Sequence, residues 1–458
     1  MFKNIMEHPP VTTQTNCQLF QADTEDNESL NEEQLTDLER NYFRAINKLG
    51  VLADIQYCDE DDGLNFDGTQ LRRYRESLNV TRRAGVSFEK FEVGAILQLG
   101  DALDMKSKEY YERAFNDMLS PILQIPPPNN LEISKKILPT SIPRLDVMGN
   151  HELYCAPREK WRYILREYDI EKDLLCYSKE IAGGQWRMIV LDSYAISVLG
   201  YTQEQILDPN NEKFKYAQNI VKENNPSALD GPQRREDVSK DKQRFATFNG
   251  GVGQAQLEWL EQQLDEAWVK KQLVVIFSHI PISGYEQYSN SLHWDVEDIL
   301  QLIEHKGAHV VACVGGHRHT FSHRIRNEFG TFTHHLDIPS PLLAPVGGEC
   351  HAVLEFHVKN LRTVSTIKSG KESCTQDCNN NEETKQYVPL LECPETNMDY
   401  NLLDTENAAY RDGEILIKND ASVNDNVEQV GVIKVLGFGQ IPKTMYLAKS
   451  IPKEWVVQ

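Results

Sequence analysis

The middle of the chain alternates short apolar runs with longer amphipathic segments. The apolar runs have the length and the β-branched content of buried strands. They occupy residues 49–53, 94–99, 142–148, 186–192, 273–277 and 309–314. The clearest helix is predicted over residues 254–271, because four apolar side chains fall on one face at spacings of three and four. These side chains are Leu257, Leu260, Leu264 and Trp268.

Further helices and strands complete this pattern. Helices are predicted over residues 32–46, 71–84, 108–119 and 296–305, and short antiparallel strands over residues 331–336, 352–358 and 363–368. Residues 209–241 are charged and contain Asn and Pro, so we expect an excursion away from the core there. Strand and helix alternate through the middle, and strands cluster near the end. This order indicates a layered α/β domain with sheet packed on sheet or with helices on both faces.

The two ends of the chain differ from the middle in composition. Residues 1–45 are polar and acidic and cannot bury enough apolar surface to offset the entropy of ordering, so we expect a largely disordered arm. Residues 46–368 form the expected globular domain. Residues 369–458 begin with a polar tract, and although 414–417 and 430–433 have strand-like sequences, this C-terminal extension stays unassigned.

The overall charge restricts the partners that the chain can bind. Lys and Arg number 48 against 69 Asp and Glu, which gives a net charge of -21. A duplex nucleic acid is a dense line of phosphates, so nucleic-acid binding is not expected. A small phosphorylated substrate can still bind where cations reverse the local field. No apolar run approaches the roughly 20 residues that span a bilayer, and no secretion signal is visible.

The cysteines bear on the compartment. All nine are scattered, with no paired spacing apart from Cys374 and Cys378 in a polar tract. This usage indicates reduced thiols in a cytoplasmic protein rather than a disulfide framework. We therefore expect a cytoplasmic monomer that acts on a small molecule away from membranes.

Polar side chains of one chemical kind follow five of the apolar runs. The third run stops on Gly149 and delivers Asn150 and His151 into the next turn, at the end of a sheet where open α/β folds keep their chemistry. The polar residues at the five strand ends are Asp54 with Gln56, Asp101, Asn150 with His151, His279, and His317 with His319. Carboxylates, amide oxygens and imidazoles bind divalent first-row metals such as Mn²⁺.

The number of these groups indicates a two-metal site. Eight ligand-type groups are too many for one metal and suit two, with a bridging carboxylate and one group to spare. Two cations about 3.5–4 Å apart can clamp the attacking and the leaving oxygens of a phosphoryl displacement. Asp101 is the expected bridge, because a carboxylate has two oxygens and this residue stands alone at its strand end. Gly316 permits the tight turn that points His317 and His319 at a common centre.

Each of these residues also has a simpler explanation. A lone Asp after a strand is more often a helix N-cap than a ligand, and His279 before Ile-Pro could be a buried structural imidazole. These explanations would have to hold together at five strand ends, so we favour the metal site. His323, His334 and His335 lack this placement and are interpreted as ordinary strand or surface histidines.

The order of these motifs resembles the calcineurin-like metallophosphoesterase superfamily. It runs Asp-x-Gln, Gly-Asp-x-x-Asp, Gly-Asn-His-Glu, Ser-His and Gly-His-x-His over about residues 50–368. The resemblance implies a sandwich of two mixed β-sheets flanked by helices, and it implies that His151 is the catalytic imidazole. The residues that it implies as metal ligands are Asp54, Gln56, Asp101, Asn150, His279, His317 and His319.

Gln56 stands where the superfamily usually has His, and in this respect the sequence resembles one branch of the superfamily. Three further motifs resemble that branch, the manganese-dependent ADP-ribose/CDP-alcohol diphosphatases. They are Gly63-Leu64-Asn65-Phe66, Phe248-Asn249-Gly250-Gly251 and Leu257-Glu258-Trp259-Leu260. The resemblance implies that Phe66 lies near the nucleotide. An amide oxygen at position 56 suits Mn²⁺ better than Zn²⁺, and Asp104 is expected to orient a ligand imidazole.

The same resemblance implies a reaction. It implies two divalent ions, with Mn²⁺ preferred and Mg²⁺ as the second choice. The substrates would be ADP-ribose and CDP-alcohols such as CDP-choline, CDP-glycerol and CDP-ethanolamine. Hydrolysis of the diphosphate bond would release a nucleoside monophosphate and a phosphorylated alcohol or sugar.

Two other enzyme classes and one non-enzymatic role compete with this interpretation. A protein Ser/Thr phosphatase would carry Gly-Asp-x-Val-Asp-Arg-Gly, whereas Asp104 here is followed by Met105. A cyclic-nucleotide phosphodiesterase of the same superfamily would usually carry His at position 56, and it remains the alternative enzyme. A non-catalytic scaffold would show erosion of the ligand set, and the sequence retains every expected ligand.

Overall fold

A computed structural model of the chain describes residues 32–65, 68–119, 123–129, 140–165, 173–230, 238–283, 290–307, 309–328, 331–365, 408–411, 414–419, 427–452 and 455. Within these residues the strands, numbered in chain order, are β1 (Lys48–Leu52), β2 (Gly63–Leu64), β3 (Leu71–Arg72), β4 (Ala95–Gln98), β5 (Arg144–Asp146), β6 (Tyr177–Ile181), β7 (Trp186–Leu191), β8 (Leu273–Ser278), β9 (Val310–Gly315), β10 (Ser322–Glu328), β11 (Thr331–Asp337), β12 (His351–Ser365), β13 (Ala408–Arg411), β14 (Glu414–Asn419), β15 (Val427–Phe438) and β16 (Met445–Ser450). The α-helices are α1 (Glu32–Ala45), α2 (Tyr74–Lys90), α3 (Tyr111–Arg113), α4 (Asn150–Cys155), α5 (Arg158–Trp161), α6 (Gln203–Leu207), α7 (Glu212–Asn224), α8 (Gly253–Val269) and α9 (Val296–Lys306).

The first sheet is mixed. β1 pairs in parallel with β4, and β4 pairs in parallel with β5. On its other side β1 pairs antiparallel with β12, which pairs antiparallel with β15 along most of its length. β16 continues the sheet beyond β15, and β14 and β13 extend it at the far end of β12.

The second sheet is also mixed and has the strand order β10-β11-β9-β8-β7-β6. β7, β8, β9 and β11 are parallel, and the edge strands β6 and β10 are antiparallel to their neighbours. β7, β8 and β9 are buried along their whole length. This burial explains why their sequences are continuous apolar runs rather than alternating ones.

The two sheets pack face to face and enclose the main core. Val51 and Leu97 from the first sheet lie in one hydrophobic cluster with Val275 from the second. Gly431 of β15 allows a close approach of the two sheets, because a Cβ at that position would lie 2.2 Å from Cδ1 of Leu273 in β8. This is the two-sheet sandwich that the resemblance implied.

Helices cover the outer faces of the sandwich. Leu260 and Leu264 of α8 pack with Ile299 of α9 against the second sheet, as predicted, whereas Leu257 and Trp268 are only half-buried. Phe88 of α2 covers the first sheet, with its ring 5.2 Å from that of His351. None of the described helices is both long enough and apolar enough to cross a membrane.

Of two further predicted segments, one has a different structure. The helix predicted over residues 108–119 is divided into a 3-10 helix at Met105–Tyr110, α3, and a π-helix at Ala114–Leu119. The expected excursion at 209–241 contains α7, whose Phe214 is buried. Ala217 and Val221 of α7 pack in a small cluster separate from the main core, so the segment is folded and still lies away from that core, as expected.

Folded structure lies on both sides of each predicted domain boundary. α1 buries Tyr42 and Phe43 in the main core, so the described part of the predicted arm is packed, while residues 1–31 lie outside the described residues. At the other end, β15 and β16 belong to the first sheet. A boundary at residue 368 would therefore divide one sheet.

Candidate metal centre

The carboxyl ends of the parallel strands of both sheets meet at one edge of the sandwich. The His317 backbone N–H, after β9, donates to Oδ2 of Asp54, after β1, at 2.8 Å. His279, after β8, places Nδ1 2.7 Å from the carbonyl oxygen of Leu99, after β4. Residues from the two sheets therefore share one site, although they are far apart in the sequence.

Five of the predicted site residues have a left-handed backbone. Their φ angles are 52° at Asp54, 45° at Gln56, 57° at Asp101, 67° at His317 and 64° at His319. Non-glycine residues rarely adopt this conformation, which costs about 1–3 kcal/mol each and is concentrated at functional sites. Each strand therefore turns sharply after its last residue, which places the polar side chains at the shared edge.

Four side chains form a group that we call the His279 site: Asp101, Asn150, His279 and His317. Nε2 of His279 lies 3.2 Å from Oδ1 of Asn150 and 3.1 Å from Nδ1 of His317. The same nitrogen lies 3.5 Å from Oδ2 of Asp101. Four potential ligand atoms thus face one another in a largely buried position.

A second group, which we call the His319 site, contains Asp54, Gln56, Asp101 and His319. Nε2 of His319 lies 3.5 Å from Oδ1 of Asp54 and 2.9 Å from Nε2 of Gln56. Oδ1 of Asp54 and Oε1 of Gln56 are buried without a hydrogen-bond partner. Buried acceptors without partners are costly, and a cation would satisfy Oδ1 of Asp54. Gln56 faces the group with Nε2, 3.1 Å from Oδ2 of Asp101, so its amide must rotate to bring Oε1 to a cation.

Asp101 belongs to both groups. Its carboxylate lies within 4.8 Å of the ligand atoms of His279 and His317, and within the same distance of those of Asp54 and His319. The structure therefore brings all seven predicted ligands together. Their oxygen and imidazole donors fit two divalent cations that share one carboxylate.

Known proteins similar to this chain carry one shared name, although no family model matches it. A manganese-dependent ADP-ribose/CDP-alcohol diphosphatase from Arabidopsis thaliana is 29% identical over 323 residues, which are 69% of this chain and 93% of the relative. The Homo sapiens protein of that name is 30% identical over 304 residues, which are 63% of this chain and 80% of the relative. The chain belongs to the manganese-dependent ADP-ribose/CDP-alcohol diphosphatase family.

The fold of this family member has a counterpart among solved structures. The crystal structure of a dimetal phosphatase from Danio rerio superposes with a TM-score of 0.59 at 20% sequence identity, covering 89% of this chain and 99% of that one. The fold is that of the calcineurin-like metallophosphoesterases. As a member of the diphosphatase family, the chain is a hydrolase.

His151, the predicted catalytic residue, lies beside the shared carboxylate of this diphosphatase-family site. Its Nε2 is 4.0 Å from Oδ2 of Asp101, and its Nδ1 accepts a hydrogen bond from the backbone N–H of Met105 at 3.2 Å. The neutral ring therefore carries its hydrogen on Nε2. Burial lowers the pKa of His151, which favours this neutral form.

Asp104 contacts a different imidazole from the one predicted. Its Oδ2 lies 3.5 Å from Nδ1 of His151 and 3.8 Å from Nη1 of Arg72. The expectation that Asp104 orients a metal-ligand imidazole was wrong, because the short helical turn after Asp104 directs its carboxylate toward His151. Asp104 therefore lies beside the residue predicted to be catalytic, while its Oδ1 accepts the backbone N–H of Lys106 and its Oδ2 has no hydrogen-bond partner.

The shared carboxylate and its neighbours influence each other's ionisation. Burial would raise the pKa of Asp101, but the imidazoles of His279 and His151 hold it well below its usual value. Burial also disfavours the charged form of His279, yet Asp101 raises its pKa to about 9. A cation that binds here would replace this proton.

Glu152 supports the site without facing it. Its carboxylate accepts hydrogen bonds from the backbone N–H groups of Asp101 at 2.8 Å, Ala102 at 2.7 Å and Gly149 at 2.9 Å. The residue stands in the Gly-Asn-His-Glu motif, which is the only signal in the sequence that marks it. Its role could not be derived from spacing, because Asp101 is about fifty residues away along the chain.

Two further polar residues contact the His279 site and were not predicted. The hydroxyl of Tyr194 lies 3.0 Å from Oδ1 of Asn150. Oδ1 of Asn249 lies 2.9 Å from Nε2 of His317. Asn249 stands in one of the motifs that resemble the branch, but that pattern says nothing of a contact with His317.

The remaining predicted residues lie elsewhere. Phe66 lies outside the described residues. His323, His334 and His335 belong to β10 and β11, as expected, and are not among the grouped ligands. His334 and His335 are buried rather than at the surface, and Nδ1 of His334 lies 3.1 Å from Nε2 of His323.

Proposed function

We propose that the chain hydrolyses the diphosphate bond of ADP-ribose and of CDP-alcohols in a manganese-dependent reaction. The products would be a nucleoside monophosphate and a phosphorylated sugar or alcohol. The observation that carries this proposal is the pair of ligand groups that share Asp101, in a chain whose relatives have this activity in their names. The mixture of carboxylate, amide and imidazole donors suits Mn²⁺.

The His279 site and the His319 site would each hold one ion, with Asp101 between them. When bound, two divalent cations supply the positive charge that neutralises phosphate oxygens and acidifies a water near neutral pH. The chain itself is strongly acidic, with a net charge of -21. An anionic substrate therefore depends on these sites being filled, because cations reverse the field locally.

His151 supplies the proton-handling group in this proposal. Its neutral ring carries hydrogen on Nε2, the nitrogen on the side of Asp101, while the backbone N–H of Met105 donates to Nδ1 and fixes the other edge of the ring. The Nε2–H can donate a hydrogen bond to the oxygen that leaves with the sugar or alcohol phosphate, which stabilises the negative charge that develops there. Donation at this point lowers the barrier to bond cleavage without a change in ligand geometry.

A substrate panel tests the proposal. ADP-ribose, CDP-choline, CDP-glycerol and a cyclic nucleotide would be assayed with Mn²⁺, with Mg²⁺, with Zn²⁺ and with EDTA, and release of AMP or CMP would be measured by chromatography. We expect release from the linear diphosphates with Mn²⁺ and none with EDTA. Absence of turnover of every linear diphosphate by folded, Mn²⁺-loaded protein would overturn the proposal, and turnover of the cyclic nucleotide alone would favour the alternative enzyme.

A matched pair of variants separates the site from the rest of the fold. Asp101→Ala removes the ligand common to both groups, so we expect activity to fall by more than about 100-fold, beyond what loss of a residue behind a metal ligand causes. Glu89→Ala changes an exposed carboxylate of α2 and should leave turnover unchanged. Retained turnover in Asp101→Ala would refute the bridging role.

A further inference from the structure

We propose that Asn249 and Tyr194 are positioning residues that pre-form the His279 site, so that it binds its ion more tightly than the His319 site does. The proposal rests on the metal dependence stated above and adds an order of filling. Its basis is the difference between the hydrogen bonds that support the ligands of the two sites.

The side-chain amide of Asn249 has only one orientation that satisfies its neighbours. Its Nδ2 donates to the carbonyl oxygens of Arg244 at 2.8 Å and Asn290 at 2.7 Å. A rotated amide would place its oxygen against both carbonyls, so the observed assignment of oxygen and nitrogen is fixed by the contacts. Oδ1 of Asn249 therefore faces His317 as an acceptor.

This acceptor determines which nitrogen of His317 can bind a metal. Oδ1 of Asn249 lies 2.9 Å from Nε2 of His317, so Nε2 carries the hydrogen and donates it. Nδ1 then keeps its lone pair and lies 3.1 Å from Nε2 of His279, inside the His279 site. A hydrogen bond to the outer nitrogen fixes both the tautomer and the orientation of a ligand imidazole.

Tyr194 acts on the amide ligand of the same site. Its hydroxyl, which is buried, lies 3.0 Å from Oδ1 of Asn150 and 3.2 Å from the carbonyl oxygen of Phe248. Donation to Oδ1 occupies one lone pair of that oxygen and leaves the other toward Nε2 of His279, 3.2 Å away. Asn150 is thereby held with its oxygen, rather than its nitrogen, in the site.

The third ligand of the His279 site is held in the same way. Nδ1 of His279 lies 2.7 Å from the Leu99 carbonyl oxygen, which leaves Nε2 for a metal.

In the His319 site the Asp54 carboxylate accepts the His317 backbone N–H at 2.8 Å, and Nε2 of Gln56 donates to Asp101 at 3.1 Å. The imidazole of His319, however, is not held: among the described residues, none forms a hydrogen bond with Nδ1 of His319, and Oε1 of Gln56 has no partner. The His319 site must therefore order the His319 ring and reorient the Gln56 amide when its ion binds, which lowers its affinity.

Calorimetric titration with Mn²⁺ tests the order of filling. We expect the wild-type protein to bind two ions in two resolved steps, and the EPR signal of an isolated Mn²⁺ after the first equivalent to give way to that of a coupled pair after the second. The variant His319→Ala should retain the tighter step. A tighter step that disappears in His319→Ala, but persists in His279→Ala, would overturn the proposal.

Three single variants then test the positioning residues. Asn249→Ala and Tyr194→Phe should each weaken the tighter step by about 10- to 100-fold, the usual effect of removing a hydrogen bond behind a metal ligand. The control is Trp294→Phe, which removes the indole N–H donated to the Ala246 carbonyl oxygen in the same loop and has no contact with a ligand. We expect wild-type affinities for this control.

The measured quantity is the Mn²⁺ affinity of each variant and not its rate of hydrolysis. Wild-type affinity for both ions in Asn249→Ala and Tyr194→Phe would overturn the proposal. An equal loss of Mn²⁺ affinity in Trp294→Phe would also overturn it, because anchoring of the loop would then account for the weaker binding. Failure of the wild-type protein to hydrolyse any linear diphosphate would instead overturn the proposed function, and the binding comparison between variants would still decide this inference.

Discussion

The carboxylate of Glu152 accepts a hydrogen bond from the backbone N–H of Asp101 at 2.8 Å. It thereby holds the left-handed backbone of Asp101, with its φ of 57°, directly behind the carboxylate shared by both groups of ligands. The strained conformation is stabilised from α4, on the chain segment that also carries Asn150 and His151. The side chain of Glu152 thus joins two of the strand ends that form the metal centre.

The first prediction follows from this contact. Glu152→Ala leaves the N–H groups of Asp101, Ala102 and Gly149 without their acceptor. Each buried donor left unsatisfied costs about 1–3 kcal/mol, so the free energy of unfolding should fall by at least about 3 kcal/mol. Urea denaturation followed by circular dichroism measures the loss, with Glu89→Ala as the exposed control. A change below about 1 kcal/mol would show that Glu152 does not hold this turn.

The second prediction concerns Gly149, which lies against the shared carboxylate. A Cβ at this position would lie 2.2 Å from Oδ1 of Asp101 and 2.4 Å from its backbone nitrogen. Gly149→Ala should therefore displace Asp101 and reduce kcat at least 100-fold, comparable to loss of a key electrostatic contact. Gly94→Ala is the matched control, because its Cβ would lie 2.6 Å from Cγ1 of Ile46, a clash of the same kind away from the ligand groups. Equal activity of the two variants would contradict the inference that the absence of a side chain at position 149 is needed to place Asp101.

The third prediction separates proton donation from metal binding. His151→Ala removes the imidazole beside Asp101 but no residue of either ligand group, so Mn²⁺ stoichiometry should not change. Removal of a general acid or base lowers kcat by about 10²–10⁴-fold. Steady-state kinetics and calorimetry on the same sample measure both quantities, and His305→Ala on the exposed end of α9 serves as the control. Loss of an ion in His151→Ala would instead identify a metal ligand.

The fourth prediction concerns a buried lysine far from the metal centre. Lys449 of β16 is 5% exposed and donates to the Val310 carbonyl oxygen at 2.7 Å. Burial lowers its pKa to about 7. Between this value and the ordinary lysine pKa of the unfolded chain, the unfolded state binds a proton that the folded state lacks. Stability should therefore rise with pH across this range.

The size of this effect can be measured with one substitution. Between pH 7 and pH 8.5 the lysine should contribute about 2 kcal/mol to the rise in unfolding free energy. Lys449→Met should remove that rise. The control is Lys434→Met: Lys434 is a half-buried residue of β15 that pairs with Glu355 of β12, and its substitution should retain the rise. Parallel pH profiles for the wild-type protein and Lys449→Met would count against the lysine as their source.

The strand ends could be predicted because their chemistry is local. A buried strand followed by Asp101, or by Asn150 and His151, can be recognised in the sequence as a short apolar run with polar groups of one kind directly after it. Parallel strands then bring such ends to one edge without further information from the sequence. The same reasoning holds for Asp54 and His279.

The supporting contacts could not be predicted because they join distant segments. Asn249 meets His317 across 68 positions of the sequence, and Tyr194 meets Asn150 across 44. A polar residue in a loop has many potential partners, and only the packed sandwich selects one. For the same reason the pairing of β12 with β15 could not be predicted. A strand-like sequence near the C-terminus does not specify which strand it will pair with.

The pairing of β12 with β15 has a consequence for how the protein is made. β12 ends at Ser365 and its partner begins at Val427, so a ribosome delivers the first strand well before the second. Until then one long edge of the nascent sheet has no neighbour, and such edges recruit other chains. Pairing of β12 along this edge therefore waits until β15 has been synthesised, so a chain truncated before Val427 should aggregate more readily than one that includes β15.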